Sequence, residues 1–377
     1  MSTPETRVIN PAGTFRVIVT KPLPGTHWLE VLTAADCRVE IAQDTEILPQ
    51  SAIIGLIGSQ CDGAIGQLTE PWDGTLFAAF KAAGGRAYSN YAVGYNNVDV
   101  PAATAVAIPV GNTPGVLTET TAEIAVALTF AASRRIVESD RFLRAGKFTG
   151  WLPTLFLGQL FRGKTVGIIG AGRIGAAYAR MMVEGHKMNL LYYDLRPNEE
   201  LEAYVADYSA FLTARGEPAL TCRRVETVEA LLQAADVVSL HTVLDPSTRH
   251  LINRERLALM KPDAILVNTA RGPVIDEAAL VAHCQSHPDF RVALDVFEHE
   301  PAMAPGLTDL DNAVIVPHIA SATKWTREGM ASLAACNVAA ILHGLPVNRD
   351  GDVLPFLSGT VPPRAPSIVN AAELNLL

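Results

Sequence analysis

The sequence predicts an α/β protein built from two doubly wound parallel-sheet lobes. Three observations carry that expectation. Short apolar runs alternate with segments of helical spacing along most of the chain. In the second half these runs are mostly apolar along their length, as strands covered on both faces are. The first run of that half, K-T-V-G-I-I-G, passes directly into the glycine fingerprint G-A-G-R-I-G at 170 to 175, with which such a sheet receives a dinucleotide.

The elements follow in order. F-R-V-I-V-T at 15 to 20 and A-I-I-G-L-I at 52 to 57 are bounded by turn formers and read as strands. Between them T-H-W-L-E-V-L-T-A-A has helical spacing. W-D-G-T-L-F-A-A-F at 72 to 80 reads as a helix, and R-A-Y-S-N at 86 to 90 as a strand leading into the loop at 92 to 99. From Thr118, T-E-T-T-A-E-I-A-V-A-L-T-F-A-A-S-R-R is one long helix, with acidic residues at its start and basic ones at its end complementing the helix dipole. An aromatic and glycine-rich loop covers 146 to 163. Later strands are expected at 189 to 194, 237 to 241, 264 to 268, 291 to 295 and 313 to 317, then a helix over 323 to 344 and a proline-rich tail.

Composition excludes several function classes. The chain has 377 residues, 49% of them hydrophobic and 18% charged, enough for two cores, and its net charge of −9 leaves no basic stripe for nucleic acid. The longest nearly unbroken apolar stretch, 122 to 132, is too short to span a bilayer. Neither a secretory nor a transit pattern stands at the amino terminus, so the cytoplasm is the default compartment, with an organelle (peroxisome or mitochondrion) as the alternative. Five cysteines without a C-x-x-C pair read as reduced structural thiols. His283 and His287 stand four apart but lack a third ligand nearby and read as surface residues; no metal site is expected.

The fingerprint has a strand before it, a helix after it and Asp194 at the end of the next strand. Gly170 permits the tight turn, Gly172 lets a pyrophosphate approach the helix N-terminus, and Gly175 lets the helix pack close to the sheet. Asp194 suits the ribose hydroxyls and repels a 2′-phosphate, so NAD(H) is the expected cofactor; Arg196 is the cation that works against this choice. Downstream stand three polar islands: N-T-A-R-G at 268 to 272, D-V-F-E-H-E-P at 295 to 301 and P-H-I-A-S at 317 to 321. They supply Arg271, whose planar guanidinium can engage the carboxylate and carbonyl oxygens of a 2-keto acid together, and His318, an acid near neutral pH. His241, also at a strand end, is the rival imidazole. Glu298 and Glu300 compete as the carboxylate that stabilises a charged imidazole, and spacing does not choose between them. The set implies hydride transfer to a carbonyl.

On these residues, and on the strings A-V-G-Y-N-N-V-D-V at 92 to 100, V-G-N-T-P-G-V-L-T-E-T-T-A-E at 110 to 123, R-G-P-V-I-D-E-A-A-L at 271 to 280 and P-H-I-A-S-A-T-K-W-T-R-E-G-M at 317 to 330, the chain resembles the D-2-hydroxyacid dehydrogenases. Within that family it is most similar to the hydroxypyruvate reductases of photosynthetic eukaryotes. The resemblance implies a Rossmann cofactor domain at 120 to 319 inserted into a flavodoxin-like substrate domain made of 1 to 119 and 320 to 377. It implies NADH-dependent reduction of hydroxypyruvate to D-glycerate, with glyoxylate as a second small 2-keto acid substrate. Another D-2-hydroxyacid or phosphoglycerate dehydrogenase and an NADH-sensing co-repressor are the alternatives. It also implies that Glu300, directly before the proline, is the partner of His318. Val93 and Gly94 would hold the substrate carboxylate, and Thr121, Arg173, Ile174, His241, Thr269, Ala270, Asp295 and Ser321 would join Arg271 and His318 along the cofactor. Relatives are homodimers in which an aromatic matching Trp151 reaches the partner's substrate. Two departures stand out: the family's usual proline is Thr242 here, and the chain ends Leu-Asn-Leu-Leu where the plant enzymes carry Ser-Lys-Leu.

Overall fold

A computed structural model describes residues 4–359 and 362–377. The chain divides into two compact units, Met1–Leu117 with Ala322–Leu377, and Thr118–Ser321. Each has its own sheet and its own buried core.

The first unit contains strands β1 (Thr6–Ile9), β2 (Phe15–Val19), β3 (Cys37–Ala42), β4 (Gly63–Gly66), β5 (Ala87–Asn90) and β6 (Val110–Gly111). Their order is β1-β3-β2-β4-β5-β6; β1 runs antiparallel to β3 and the other pairs are parallel. The helix expected at 26 to 35 spans His27–Ala34 and packs beside Lys324–Leu342, the long buried helix that opens the carboxyl-terminal return.

One expectation fails in this unit. Residues 52 to 57 are not a strand but lie in the helix Gln50–Ile57. Ala52, Ile53, Leu56 and Ile57 are buried while Ile54 is exposed, a 3.6-residue rhythm compressed into a run too short to tell from a strand. The strand that follows, β4, reads G-A-I-G, too short and glycine-rich to stand out as a strand in the sequence. Its glycines answer to packing: a Cβ on Gly63 would meet Val338 at 2.8 Å, and one on Gly66 would meet the Trp72 indole nitrogen at 2.5 Å.

The second unit contains β7 (Thr165–Ile169), β8 (Asn189–Tyr193), β9 (Cys222–Arg224), β10 (Val237–Leu240), β11 (Ile265–Asn268), β12 (Arg291–Leu294) and β13 (Ala313–Ile315), all parallel, in the order β13-β12-β11-β10-β7-β8-β9. The central strands β10 and β11 are fully buried, in keeping with their largely apolar sequences. The chain travels outward from β7 through β8 to β9, then returns to β10 on the other side. This reversal places a crevice at the carboxyl ends of β7 and β10, where open α/β sheets take ligands.

The long helix closes at Ser133, and Arg135, in the left-handed region, begins a second helix, Ile136–Arg144. The five cysteines are free. His283 and His287 stack with ring centroids 4.1 Å apart, and among the described residues no cluster able to hold a metal is present. No described helix is long and apolar enough to cross a membrane.

Candidate active site

The nucleotide end is built where the strand order reverses. Gly170 follows β7 with φ +96°, and a side chain there would lie 2.8 Å from the backbone of His241, which follows β10. Only glycine lets the two strand ends approach so closely. A Cβ on Gly175 would strike the Gly170 carbonyl, so that position brings the helix Arg173–His186 down onto the turn. Gly172 differs: nothing lies within 4 Å of where its side chain would be. It begins the helix without a side-chain cap, leaving the first-turn amides, those of Arg173 and Ile174 among them, for an anion.

Asp194 is fixed at the rim of this turn. Its Oδ2 accepts from the Ala171 amide at 2.8 Å and its Oδ1 from the Arg196 amide at 3.3 Å. The Arg224 guanidinium donates to the Asp194 backbone carbonyl at 3.1 and 3.3 Å and lies 3.5 Å from Glu226 Oε1, a second cation at this rim. Sequence reading missed it because β9 is short and polar. Beyond the crevice the hydroxyls of Thr242 and Thr269, just past β10 and β11, are buried without a hydrogen-bond partner. Buried hydroxyls are normally satisfied, and two orphans at the carboxyl end of the sheet fit a polar ligand laid across it. With the open Gly172 and the uncapped helix, the residues present fit a dinucleotide.

The three polar islands follow three neighbouring strands: β11 leads into Arg271, β12 into Asp295 and Glu300, and β13 into His318. Parallel pairing therefore gathers residues distant in sequence at one edge. His318 Nδ1 lies 2.9 Å from Glu300 Oε2, and Glu300 Oε1 accepts from the Phe297 amide at 3.0 Å. Burial alone would raise the Glu300 carboxyl, but the hydrogen bond and charge of His318, with the Phe297 amide and Arg271, hold it below its ordinary value.

His318 occupies the left-handed region at φ +52°, unusual for a residue with a side chain. Asp295 holds it there. The His318 amide donates to the Asp295 carbonyl at 2.9 Å, and the wholly buried Asp295 carboxylate accepts from the amides of Ile319 at 2.6 Å and Ala320 at 2.9 Å. Burial raises the Asp295 carboxyl against the pull of those amides.

Arg271 is held by its own turn. Asn268, fully buried at the end of β11, donates to the Arg271 carbonyl at 2.9 Å and accepts from the Ala270 amide at 3.0 Å. A Cβ on Gly272 would collide with the Phe297 carbonyl, so the arginine loop presses directly on the loop that carries Glu300. Burial pulls the guanidinium's pKa down and the Glu300 charge opposes it; the group remains a cation. The signal for Asn268 in the sequence is slight, an amide closing an apolar strand, and its role shows only in the folded turn.

The structure separates the rival residues. His241 Nε2 lies 2.9 Å from Ser239 Oγ, and its ring sits 5.3 Å from that of Tyr178. Although part of the residue reaches solvent, the imidazole is desolvated and falls to about 3, so it carries no proton to give at neutral pH. Glu298 serves another pair: its Oε1 lies 2.6 Å from His250 Nε2 and its Oε2 accepts from the Glu277 amide at 3.3 Å.

Of the remaining candidates, Thr121, Thr269 and Ala270 are buried and Ser321 is half-buried. Val93 and Gly94 lie in the first unit, just past β5. Trp151 is 82% exposed, in an apolar loop with Leu152, Leu157 and Leu160 also exposed.

Comparisons with known proteins agree with this geometry. Residues 126–320 match the family described as D-isomer specific 2-hydroxyacid dehydrogenase, NAD binding domain. A glycerate dehydrogenase of Cucumis sativus is 60% identical over 371 residues, covering 97% of this chain and 97% of that protein. The peroxisomal glycerate dehydrogenase HPR of Arabidopsis thaliana is 60% identical over 373 residues, covering 98% and 97%. Among solved structures, the TT0316 protein from Thermus thermophilus aligns with a TM-score of 0.78 at 36% identity, covering 94% of this chain and all of that one. The chain belongs to the D-isomer specific 2-hydroxyacid dehydrogenase family.

Proposed function

We propose that this chain reduces hydroxypyruvate to D-glycerate with NADH, and glyoxylate to glycolate as a side activity. The observation that supports this best is the His318–Glu300 pair at 2.9 Å, with Arg271 held in the loop packed against it. When bound, a reduced nicotinamide supplies the hydride. Arg271 engages the carboxylate and carbonyl oxygens of the keto acid through its planar fork. Val93 and Gly94 receive the carboxylate through their amides. His318 gives its proton to the C2 oxygen as negative charge develops there, and Glu300 orients the ring and stabilises its charged form. Asp295 is a positioning residue that fixes the backbone on both sides of the imidazole.

Glu300→Gln tests the pair. Glutamine keeps the shape of the side chain but removes the anion beside the ring, so proton delivery by His318 is impaired and kcat/KM falls by about tenfold or more. Glu298→Gln, which touches His250 instead, leaves the rate in place. Values of kcat/KM for both variants check this, and a fall seen only with Glu298→Gln would transfer the role.

The preference for NADH rests on Asp194, whose carboxylate accepts ribose hydroxyls and would face a phosphate dianion in NADPH. Arg196 and Arg224 are the cations that offset it. We also propose a homodimer in which the loop around Trp151 is covered, because exposed Trp151, Leu152, Leu157 and Leu160 form more apolar surface than a lone loop ordinarily presents. Sedimentation at micromolar concentration is expected to give a dimer, and Trp151→Ala a changed ratio of hydroxypyruvate to glyoxylate turnover. A fully active monomer would remove the loop from the site.

A further inference from the structure

The segment after β5 is anchored through its carbonyls. Three successive carbonyls are held from one side. The Ala92 carbonyl accepts from the Thr113 amide at 2.9 Å, the Val93 carbonyl from Asn112 Nδ2 at 2.8 Å, and the Gly94 carbonyl from Asn90 Nδ2 at 3.0 Å. All three anchors stand at the carboxyl end of the sheet: Asn90 ends β5, and Asn112 and Thr113 follow β6. They are buried, Asn90 and Thr113 completely.

A trans peptide holds its carbonyl and the next N–H on opposite sides. Fixing the carbonyls of Ala92, Val93 and Gly94 therefore turns the amides of Val93, Gly94 and Tyr95 away from the anchors. Among the described residues none of these three amides donates to a protein acceptor, and the segment reaches solvent from Val93 to Tyr95. Successive amides presented in this way form a concavity for an anion.

The central anchor is itself held by the carboxyl-terminal return. Ser367 Oγ donates to Asn112 Oδ1 at 2.6 Å, which fixes the oxygen end of that amide and leaves its nitrogen for Val93. The Ser367 amide donates to Asn337 Oδ1 at 2.9 Å, and Asn337 Nδ2 donates to the Asn112 carbonyl at 2.9 Å. Gly111 makes room for this arrangement, since a Cβ there would lie 2.8 Å from Asn337 Nδ2.

We propose that Asn90, Asn112 and Ser367 are positioning residues that set a three-amide cradle, Val93, Gly94 and Tyr95, for the carboxylate of the 2-keto acid, so that the proline-rich tail takes part in substrate affinity. This rests on the proposed reduction of hydroxypyruvate and extends it to a third amide and to the network behind the loop. The cradle grips the carboxylate that hydroxypyruvate and glyoxylate share.

The test uses the full-length enzyme with Asn112→Asp, which keeps the shape of the side chain but removes the donor to Val93, and with Ser367→Ala, which frees the Asn112 amide to turn. KM for hydroxypyruvate and the inhibition constant of oxamate, an unreactive carboxylate probe, are expected to rise together by about tenfold in Asn112→Asp and about threefold in Ser367→Ala, the size of one or two hydrogen bonds. The kcat and the NADH dissociation constant, read by fluorescence titration, stay within about twofold on that scale. Unchanged KM and oxamate affinity in both variants would overturn the proposal, as would a fall in kcat or NADH affinity without a change in oxamate affinity. If Asn112→Asp melts below the assay temperature, Ser367→Ala decides alone. Failure of the wild-type enzyme to reduce hydroxypyruvate would instead overturn the reaction assigned above, and the oxamate titration distinguishes the two failures.

Discussion

His318→Gln is expected to lower the rate of hydroxypyruvate reduction by roughly 100- to 10,000-fold, the range attributed to a positioned general acid, while NADH binds with nearly unchanged affinity. Glutamine retains a polar group that can meet Glu300, and the backbone at this position is fixed by the Asp295 contacts to residues 318 to 320 whatever the side chain. The loss therefore falls on proton delivery in the transition state and spares the ground-state complex. His241 cannot substitute, because its imidazole, held down to about 3, has no proton to give at neutral pH. Steady-state rates alongside fluorescence titration of NADH check both halves. Turnover near the wild-type rate would remove His318 from the reaction.

Arg271→Lys is expected to lower kcat/KM by about 100-fold, equivalent to about 2.7 kcal/mol. An ammonium keeps the charge but presents one point where the guanidinium presents a planar fork, so one of two substrate oxygens loses its partner. The site is also poorly suited to lysine: burial disfavours the charged form, and an ammonium sheds its proton in such surroundings more readily than a guanidinium. Rates with hydroxypyruvate that match the wild type would show that the fork is not used. Because Asn268 holds the turn through backbone groups, the melting temperature is expected to change little.

Much of the second unit is legible in the sequence for a physical reason. Most of its strands, β9 apart, are buried and so are largely apolar, and the polar residues that carry the candidate chemistry fall at strand ends, where a parallel sheet collects its ligand-binding groups. Arg271 and His318 stand out on that ground alone. Glu298 and Glu300 do not separate, because both lie in one loop and either is within reach of an imidazole. Only the folded loop shows that His250 takes one and His318 the other. The first unit is harder to read. Its strands are short, β4 consists of two glycines around Ala64 and Ile65, and the helix Gln50–Ile57 contains a run that suits either element. The anchors of the Val93–Tyr95 loop stay hidden for another reason: Asn90, Asn112 and Ser367 are scattered in the chain, and their relation exists only once the return at 367 has packed beside β6.

The most direct measurement is a set of initial rates for hydroxypyruvate, glyoxylate, pyruvate and 3-phosphohydroxypyruvate, each with NADH and with NADPH. The highest kcat/KM is expected for hydroxypyruvate with NADH, glyoxylate second, and each NADPH value below its NADH counterpart because Asp194 faces the added phosphate. No turnover of any 2-keto acid, or a phosphorylated acid ahead of hydroxypyruvate, would contradict the proposed function. NADPH equal to NADH would show that Arg196 and Arg224 outweigh Asp194.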